Sequence, residues 1–489
     1  MNKILNFRLI FRFFGILLMV ETVALLSAAL VAVLYKERDG YYFLISAGIT
    51  FFLGALGILS GLKASPLIGR REGSLIVTFI WVVFTLFGLL PFWISGSIPS
   101  FTDAFFETIS GFTTTGASIL NNIEELSHSI LYWRSLTHWI GGLGIIVISL
   151  AILPVFGVSG TQLFVAESAG PTKDKIHPKI NETAKRLFLI YIILTISESI
   201  LLKIGGMGWF DAICHSFGTV ATGGFSTKQA SVGYWSSPYI QYVIAIFMLL
   251  SGVNFSLYYF GFKNKFRKLF ENEELKYYLI TLIAFSLIVT FSLIDFSHMF
   301  SFSKLEMWWR EAFFNVTACM TTTGFATADY MYWKTFTWVL LLIAMIIGAS
   351  AGSTSGAIKM VRIVIVFKYC YYEIQKLIHP NAVMPVKYNG LIVKADVITR
   401  VLAFVLLYLF TVAVGILILS MSGMDFQESI GGLITCLGGV GPGLGQVGPA
   451  GNFSAIPEFS KWFLSFIMLL GRLELFTVLV LFTPSFWRK

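Results

Sequence analysis

Charged side chains are scarce in this chain. Asp, Glu, Lys and Arg supply 12% of its 489 residues, about half the roughly 25% of a soluble domain, while 56% are hydrophobic and the mean hydropathy is +0.79. A soluble fold would have to hide nearly every surface position, which surface-to-volume scaling forbids at this length. The chain is an integral membrane protein. Of the four cysteines (Cys214, Cys319, Cys370, Cys436), none stands in a CxxC pair, so neither a disulfide framework nor a zinc site is indicated. The six histidines form no HxxxH or HExxH spacing. No GxxxxGK[ST] loop offers a cradle for a nucleotide phosphate. GxGD and DDxxD patterns are also missing, so an intramembrane hydrolase or transferase finds no carboxylate-pair machinery and the chain reads as no enzyme. The net charge of +9 is scattered between apolar spans rather than gathered on a soluble face, which excludes a nucleic-acid partner.

What is abundant is apolar sequence in long runs. Crossing a hydrocarbon core of about 30 Å takes roughly 20 helical residues. Runs of that length fall near 13–34, 41–62, 74–97, 136–157, 187–206, 239–262, 277–296, 336–358, 399–422 and 461–484. That predicts ten helices. The first has a basic start like a signal peptide, but its apolar stretch is too long for an h-region and a second span follows at once, so it is retained. With the N-terminus in the cytoplasm, segments 1–12, 63–71, 166–186, 263–276, 359–400 and 488–489 share one side and hold 25 of the 35 Lys and Arg residues. Nine lie on the other side and Arg472 lies inside the last span. The positive-inside rule therefore sets both termini in the cytoplasm.

The outer connections after spans three, five, seven and nine are too apolar for plain loops and too short to cross. They read as re-entrant segments: DAFFETISGFTTTGAS (103–118), DAICHSFGTVATGGFS (211–226), EAFFNVTACMTTTGFA (311–326) and ESIGGLITCLGGVGPG (428–443). An acidic residue opens each, and a glycine follows 12 or 13 positions later: Asp103 to Gly116, Asp211 to Gly223, Glu311 to Gly324, Glu428 to Gly441. A small residue (Gly111, Gly218, Cys319, Cys436) precedes each glycine by five, letting a short descending helix turn into extended backbone. Internal repetition fixes architecture. The expected fold is an all-α integral membrane protein, with four helix, re-entrant loop, helix repeats around one pore and two extra N-terminal helices. The boundaries follow as 1–73 for the extra helices, 74–165 for repeat one, 166–263 for repeat two, 264–368 for repeat three and 369–489 for repeat four.

Non-helical backbone at membrane depth is tolerated only where protein buries it or a water-filled cavity meets it. Four such segments around one axis would point carbonyls inward, and a dehydrated alkali cation needs several neutral oxygen dipoles in place of its water shell. Glycine serves where a Cβ would clash or φ must be positive. Threonine either adds hydroxyl oxygens or ties the loop to its surroundings, and the acidic residues complement positive helix N-termini. Span eight holds GASAGSTSGAIK (348–359), which reads either as close helix packing or as a helix broken at a water-lined cavity. Arg472 stands mid-span, where a lone cation costs at least about 2.5 kcal/mol. The alternatives to a functional role are pairing with Glu474 or snorkelling. Asn254 and the glycines of HWIGGLG (138–144) read as packing.

TTTGA, VATGG, TTTGF and GGVGP between helix pairs resemble the four filter loops of the Trk/Ktr/HKT superfamily of potassium transporters. The resemblance covers about 74–489, and the two helices at 13–62 are similar to the Trk-type membrane subunit. It implies a potassium-translocating subunit with K+ as cargo, no cofactor in this chain, and a filter built by Thr113, Thr114 and Thr115, by Val220, Ala221 and Thr222, by Thr321, Thr322 and Thr323, and by Gly438, Gly439 and Val440. Gly116, Gly223, Gly324 and Gly441 would flank those residues, with potassium preferred because all four are glycine. The fourth loop departs from TTTG, so the ring is not fourfold equivalent. The resemblance also implies an interrupted third exit helix, here a gate of Gly348, Ser350, Gly352, Ser353, Thr354, Ser355 and Gly356 with Arg472 beside the pore. It further implies a homodimer with a cytosolic nucleotide-binding (TrkA-like) regulatory ring in a bacterial inner membrane; the basic stretches 166–186, 263–276 and 359–400, longer than topology needs and of mixed charge, read either as a docking face or as solvated topology determinants. A sodium- or proton-coupled carrier with a midplane broken-helix site is the competing reading; its usual mark is an inverted two-part repeat, whereas four parallel repeats stand here.

Overall fold

The structure, a computed structural model, describes residues 5–64, 69–151, 180–262, 266–294, 301–381 and 384–488. Residues 166–179 of one basic stretch, 263–265 of the next and the end of the fourth span lie outside the described residues.

A bilayer leaves no water for the backbone, so the chain satisfies its amides by helix formation. The N-terminal pair comprises Phe7–Leu34 and Gly40–Ser60. Asn6 caps the first helix, its side-chain oxygen accepting the Leu9 N–H at 3.2 Å. Gly15 lies so close to the second helix that a Cβ would stand 2.7 Å from the Ile58 nitrogen, a small-residue contact typical of membrane helices. The outer faces expose Val20, Val23, Leu30, Phe51 and Phe52, as a lipid-facing surface does.

Four repeats follow, each with a leading, a descending and a trailing helix. The descending helices are Phe101–Phe112, Trp209–Val220, Phe302–Met320 and Phe426–Gly438. Asp103, Asp211 and Glu428 lie in the first turns of theirs, opposing the positive helix end. The third helix starts nine residues earlier than expected, so Glu311 falls within it rather than at its N-terminus. Every residue from Ala104 to Phe112 is buried, which puts polar, turn-forming sequence at the centre of the molecule.

Six helices among the described residues are long and apolar enough to cross a bilayer, and Glu458–Arg472 with Leu475–Phe482 makes a seventh if that bent pair is one span. Spans six and ten, expected as continuous helices, are broken. The sixth runs Pro238–Ser251 and resumes at Phe255–Phe262, interrupted by Gly252, Val253 and Asn254. The tenth bends by 114° after Arg472, where Glu474 takes φ 60°. Span eight breaks where its small polar run begins: Thr335–Ile347 ends at Gly348, with φ 73°, and helix resumes at Met360–Ile378. The all-helical expectation also misses a small hairpin, Lys387–Tyr388 paired with Leu391–Ile392. Asn389 and Gly390 turn it with φ 49° and 75°, the Asn-Gly pair that a two-residue hairpin favours.

Candidate functional site

The four descending helices end in one and the same turn. Thr115 N–H donates to Ser110 O at 2.9 Å, Gly223 to Gly218 O at 2.8 Å, Thr323 to Ala318 O at 2.9 Å and Val440 to Thr435 O at 2.9 Å. The residue before each of these donors is left-handed: Thr114, Thr222, Thr322 and Gly439 have φ of 52°, 53°, 58° and 70°. This is a Schellman-type helix end, which ordinarily takes glycine. Three of the four positions instead hold β-branched threonine, at a cost of roughly 1–2 kcal/mol each, and such strain persists only where the surroundings over-determine it.

Two residues after each left-handed position stands a glycine with positive φ: Gly116 at 82°, Gly224 at 83°, Gly324 at 76° and Gly441 at 104°. The second loop therefore sits one residue later than the sequence register had it. Ala221 occupies the place of Thr113, Thr222 that of Thr114, Gly223 that of Thr115, and Gly224 replaces Gly223 as the ring glycine. Val220 belongs to the last turn of its helix. With Gly224, all four acidic residues stand 13 positions before their glycine, so a uniform count would have found the register.

The loops close a ring. A Cβ on Gly116 would collide with the Gly223 carbonyl oxygen, one on Gly224 with that of Thr323, and one on Gly324 with that of Val440. A Cβ on Gly441 would lie 3.0 Å from the Thr115 oxygen. Each glycine thus abuts the carbonyl of the next loop, in the order one, two, three, four and back to one. One cavity is lined at once by Gly116, Gly224, Gly324 and Gly441. The threonine side chains mostly meet protein: Thr113 and Thr115 hydroxyls meet at 2.9 Å and those of Thr321 and Thr323 at 2.8 Å.

Next to this ring lies the small-residue run of span eight. Its ends are bridged, Ile358 N–H to Ile346 O at 3.2 Å and Lys359 N–H to Ile347 O at 2.9 Å, so 348–357 is a closed excursion of chain. Gly356 N–H donates to the Thr322 hydroxyl at 2.8 Å, and its α-carbon is so near the fourth loop that a Cβ would strike the Gly438 oxygen. The Thr354 hydroxyl donates to Val220 O at 3.1 Å. The run is held from repeat two as well, Ser350 N–H donating to Gly252 O and Phe255 N–H to Gly352 O, both at 3.0 Å, and from the leading helix of its own repeat, where Ala351 N–H donates to Glu274 at 2.6 Å. Asn254 therefore serves the break in span six, its side-chain oxygen accepting Ser256 N–H at 2.9 Å, rather than simple packing.

Arg472 reaches the same place. Its two terminal nitrogens donate at 2.9 Å to Thr354 O and to Gly141 O, tying the run to the first trailing helix. Glu474 pairs with Arg362 instead, at 2.8 Å. Sequence reasoning missed Arg362 and Glu274. It also counted Arg134 as an outer topology charge, whereas Arg134 is 2% exposed and bonded to buried Glu107 at 2.6 Å. Glu107 in turn accepts Ser118 and Ile119 of the ascending limb. His215 and Asn315, at the same offset from their acidic residues, reach Ser226 and Thr327. That recurrent polar position was readable in the repeats.

A family model described as TrkH, cation transport protein, matches residues 43–489. The chain belongs to this family. It is 40% identical over 487 residues to the Trk system potassium uptake protein TrkH of Escherichia coli K12, covering 99% of this chain and all of that protein. It is 34% identical to the Trk system potassium uptake protein TrkG of the same organism, covering 97% of each. The crystal structure of the potassium transporter TrkH from Vibrio parahaemolyticus superposes with a TM-score of 0.90 at 36% identity, covering 99% of this chain and all of that one. As a TrkH-family chain it is a multi-pass membrane protein, and the relatives' names describe transport.

Proposed function

We propose that this chain is a potassium-translocating membrane subunit, with K+ as its cargo. The observation that carries this reading is the closed cycle of four glycines, each against a carbonyl of the next loop. A cation that loses its water on the axis would meet the main-chain oxygens of Thr114 and Thr115, Thr222 and Gly223, Thr322 and Thr323, and Gly439 and Val440, in a ring too tightly built to collapse onto a smaller ion. The negative C-terminal ends of four descending helices add to the attraction. The relatives named for potassium uptake support the choice of ion.

The run 348–357 and Arg472 form the gate. They lie against three of the four filter loops or helix ends, and Arg472 adds a positive charge to the path. The chain crosses a bacterial inner membrane ten times with both termini cytoplasmic, as its Lys and Arg distribution supports. It works as a homodimer with a cytosolic nucleotide-binding ring. Helix Met360–Ile378 supports the dimer, since Phe367, Tyr371, Ile374 and Leu377 form an exposed apolar stripe that a second copy would cover.

Rubidium uptake into liposomes with imposed K+, Na+ and pH gradients tests the reading. Uptake driven by an inside-negative potential and competed by K+ but not Na+ supports it. Uptake that requires a sodium or proton gradient identifies a coupled carrier instead.

A further inference from the structure

Beyond the filter residues themselves, the second loop is held by an aromatic stack that the first repeat supplies. Phe225 follows ring glycine Gly224 and is 1% exposed. The Arg134 guanidinium carbon lies 3.6 Å from the centre of its ring, and the His138 imidazole stacks on the ring at 4.0 Å with 15° between planes. Two groups this close to one ring centre cannot share a face without overlapping, so Phe225 is sandwiched between them. Both come from one face of the first trailing helix, a turn apart.

The stack touches the filter at two atoms. Phe225 N–H donates to His138 Nδ1 at 3.4 Å. His138 also fills the space beside Gly223, where a Cβ would meet the imidazole. Gly223 carries the carbonyl that abuts Gly116. Arg134, for its part, is bonded to Glu107 and to Ser226 O at 2.8 Å, and Glu107 holds the ascending limb of loop one. The same five side chains and carbonyls therefore fix loops one and two relative to each other. The third repeat has only part of this arrangement: Phe325 meets His215 at 5.6 Å. The corresponding positions of repeats one and four are Ala117 and Pro442.

We propose that Arg134, Phe225 and His138 are positioning residues for ion selectivity, setting the Gly223 carbonyl and with it the width of the ring at the junction of loops one and two. This rests on the filter reading above. An Arg guanidinium stacked on a ring is a planar contact that lysine cannot reproduce, and aromatic stacking adds direction to mere burial.

The test is the K+ to Na+ permeability ratio of purified protein in liposomes, with Gly116→Ser as the control for the filter. Phe225→Leu and His138→Asn should each lower the ratio about tenfold, which corresponds to about 1.4 kcal/mol of differential ion stabilisation. His138→Phe keeps a stacked ring but loses the acceptor, and should fall between them and wild type. Arg134→Lys keeps the charge opposite Glu107 and loses only the planar contact, so it is informative where the other variants fail to fold, and it too should lower the ratio. An unchanged ratio in folded Arg134→Lys, or in folded Phe225→Leu and His138→Asn, while Gly116→Ser lowers it, overturns the inference alone. If Gly116→Ser also leaves the ratio unchanged, the filter reading fails with it.

Discussion

Replacing Arg472 with alanine should open the ion path. The side chain makes two charge-assisted hydrogen bonds at 2.9 Å, to Thr354 O in the span-eight run and to Gly141 O on the first trailing helix. Bonds to a charged group contribute about 1.5–3 kcal/mol each. Taking the lower figure for both gives about 3 kcal/mol, which shifts a closed-to-open equilibrium by about a hundredfold. A unit charge about 6 Å from a permeating cation adds a separate barrier of about 3 kcal/mol at an effective dielectric of 20. The two effects can be told apart. Arg472→Lys keeps the charge but cannot span two divergent carbonyls, so it should leak at an intermediate level if geometry closes the gate and stay closed if charge does. Closure is not wholly lost in either variant, because Thr354, Gly356 and Ala351 keep their bonds to Val220, Thr322 and Glu274. Rubidium uptake per folded protein, at fixed membrane potential, is the assay. Wild-type uptake in folded Arg472→Ala, with the filter ratio unchanged, would refute both the bond and the charge arguments.

Gly224→Ala should lower the K+ to Na+ permeability ratio more than Gly223→Ala, because the first forces a Cβ onto the Thr323 carbonyl at φ 83° whereas the second meets only the His138 side chain; the opposite order would restore the register in which Gly223 is the ring glycine. Glu274→Ala removes the acceptor of Ala351 N–H and should raise uptake about tenfold, on a loss of about 1.5 kcal/mol, a rise that rubidium flux would detect. Glu37 links the N-terminal pair to the first trailing helix, accepting His128 N–H at 2.7 Å and Ser129 N–H at 3.0 Å. Partial burial pushes its carboxyl up, but these backbone and side-chain bonds outweigh that and hold it below its ordinary range. A depressed folded pKa gives stability that is present above the unfolded value of about 4.3 and lost as pH falls through the folded one. The melting-temperature gap between wild type and Glu37→Gln should accordingly be widest near neutral pH and close below about pH 4, in thermal melts of detergent-solubilised protein.

The repeat architecture was legible because hydropathy and acidic-to-glycine spacing are local signals that recur. The register of loop two was not, because two adjacent glycines, Gly223 and Gly224, both fit a count of 12 or 13, and only the contact of each ring glycine with the next loop decides between them. The break in span eight could be suspected from its run of small residues. The break in span six could not be separated from packing, since Gly252 and Asn254 are ordinary in a membrane helix until Gly352 O and Ser350 N–H are seen to bond to that segment. Arg134 was misjudged for a physical reason: charge counting assumes that a lysine or arginine outside a span meets water, whereas Glu107 and Phe225 remove this one from it.

The three breaks in the trailing helices form one bonded unit. The gap in span six bonds to the span-eight run through Gly252 O and Phe255 N–H. Span ten bonds to the same run through Arg472 and to the helix that follows it through Glu474 and Arg362. Arg362 also donates to Ile358 O at 3.1 Å and lies over the Phe404 ring at 4.0 Å, so the base of the run is clamped from both sides. A displacement of Met360–Ile378 therefore pulls on Ile358, on Glu474 and, two residues away, on Arg472. The strained threonines lie at the other end of the same chain of contacts, with Thr322 accepting Gly356 N–H. Motion of the run that breaks this bond removes one of the groups holding Thr322 in its left-handed conformation. In the proposed gate and filter, the run is joined to the third loop through the Gly356–Thr322 hydrogen bond and to the end of the second descending helix through Thr354 and Val220, so a gate movement that breaks the first should not leave the third loop with its full set of restraints.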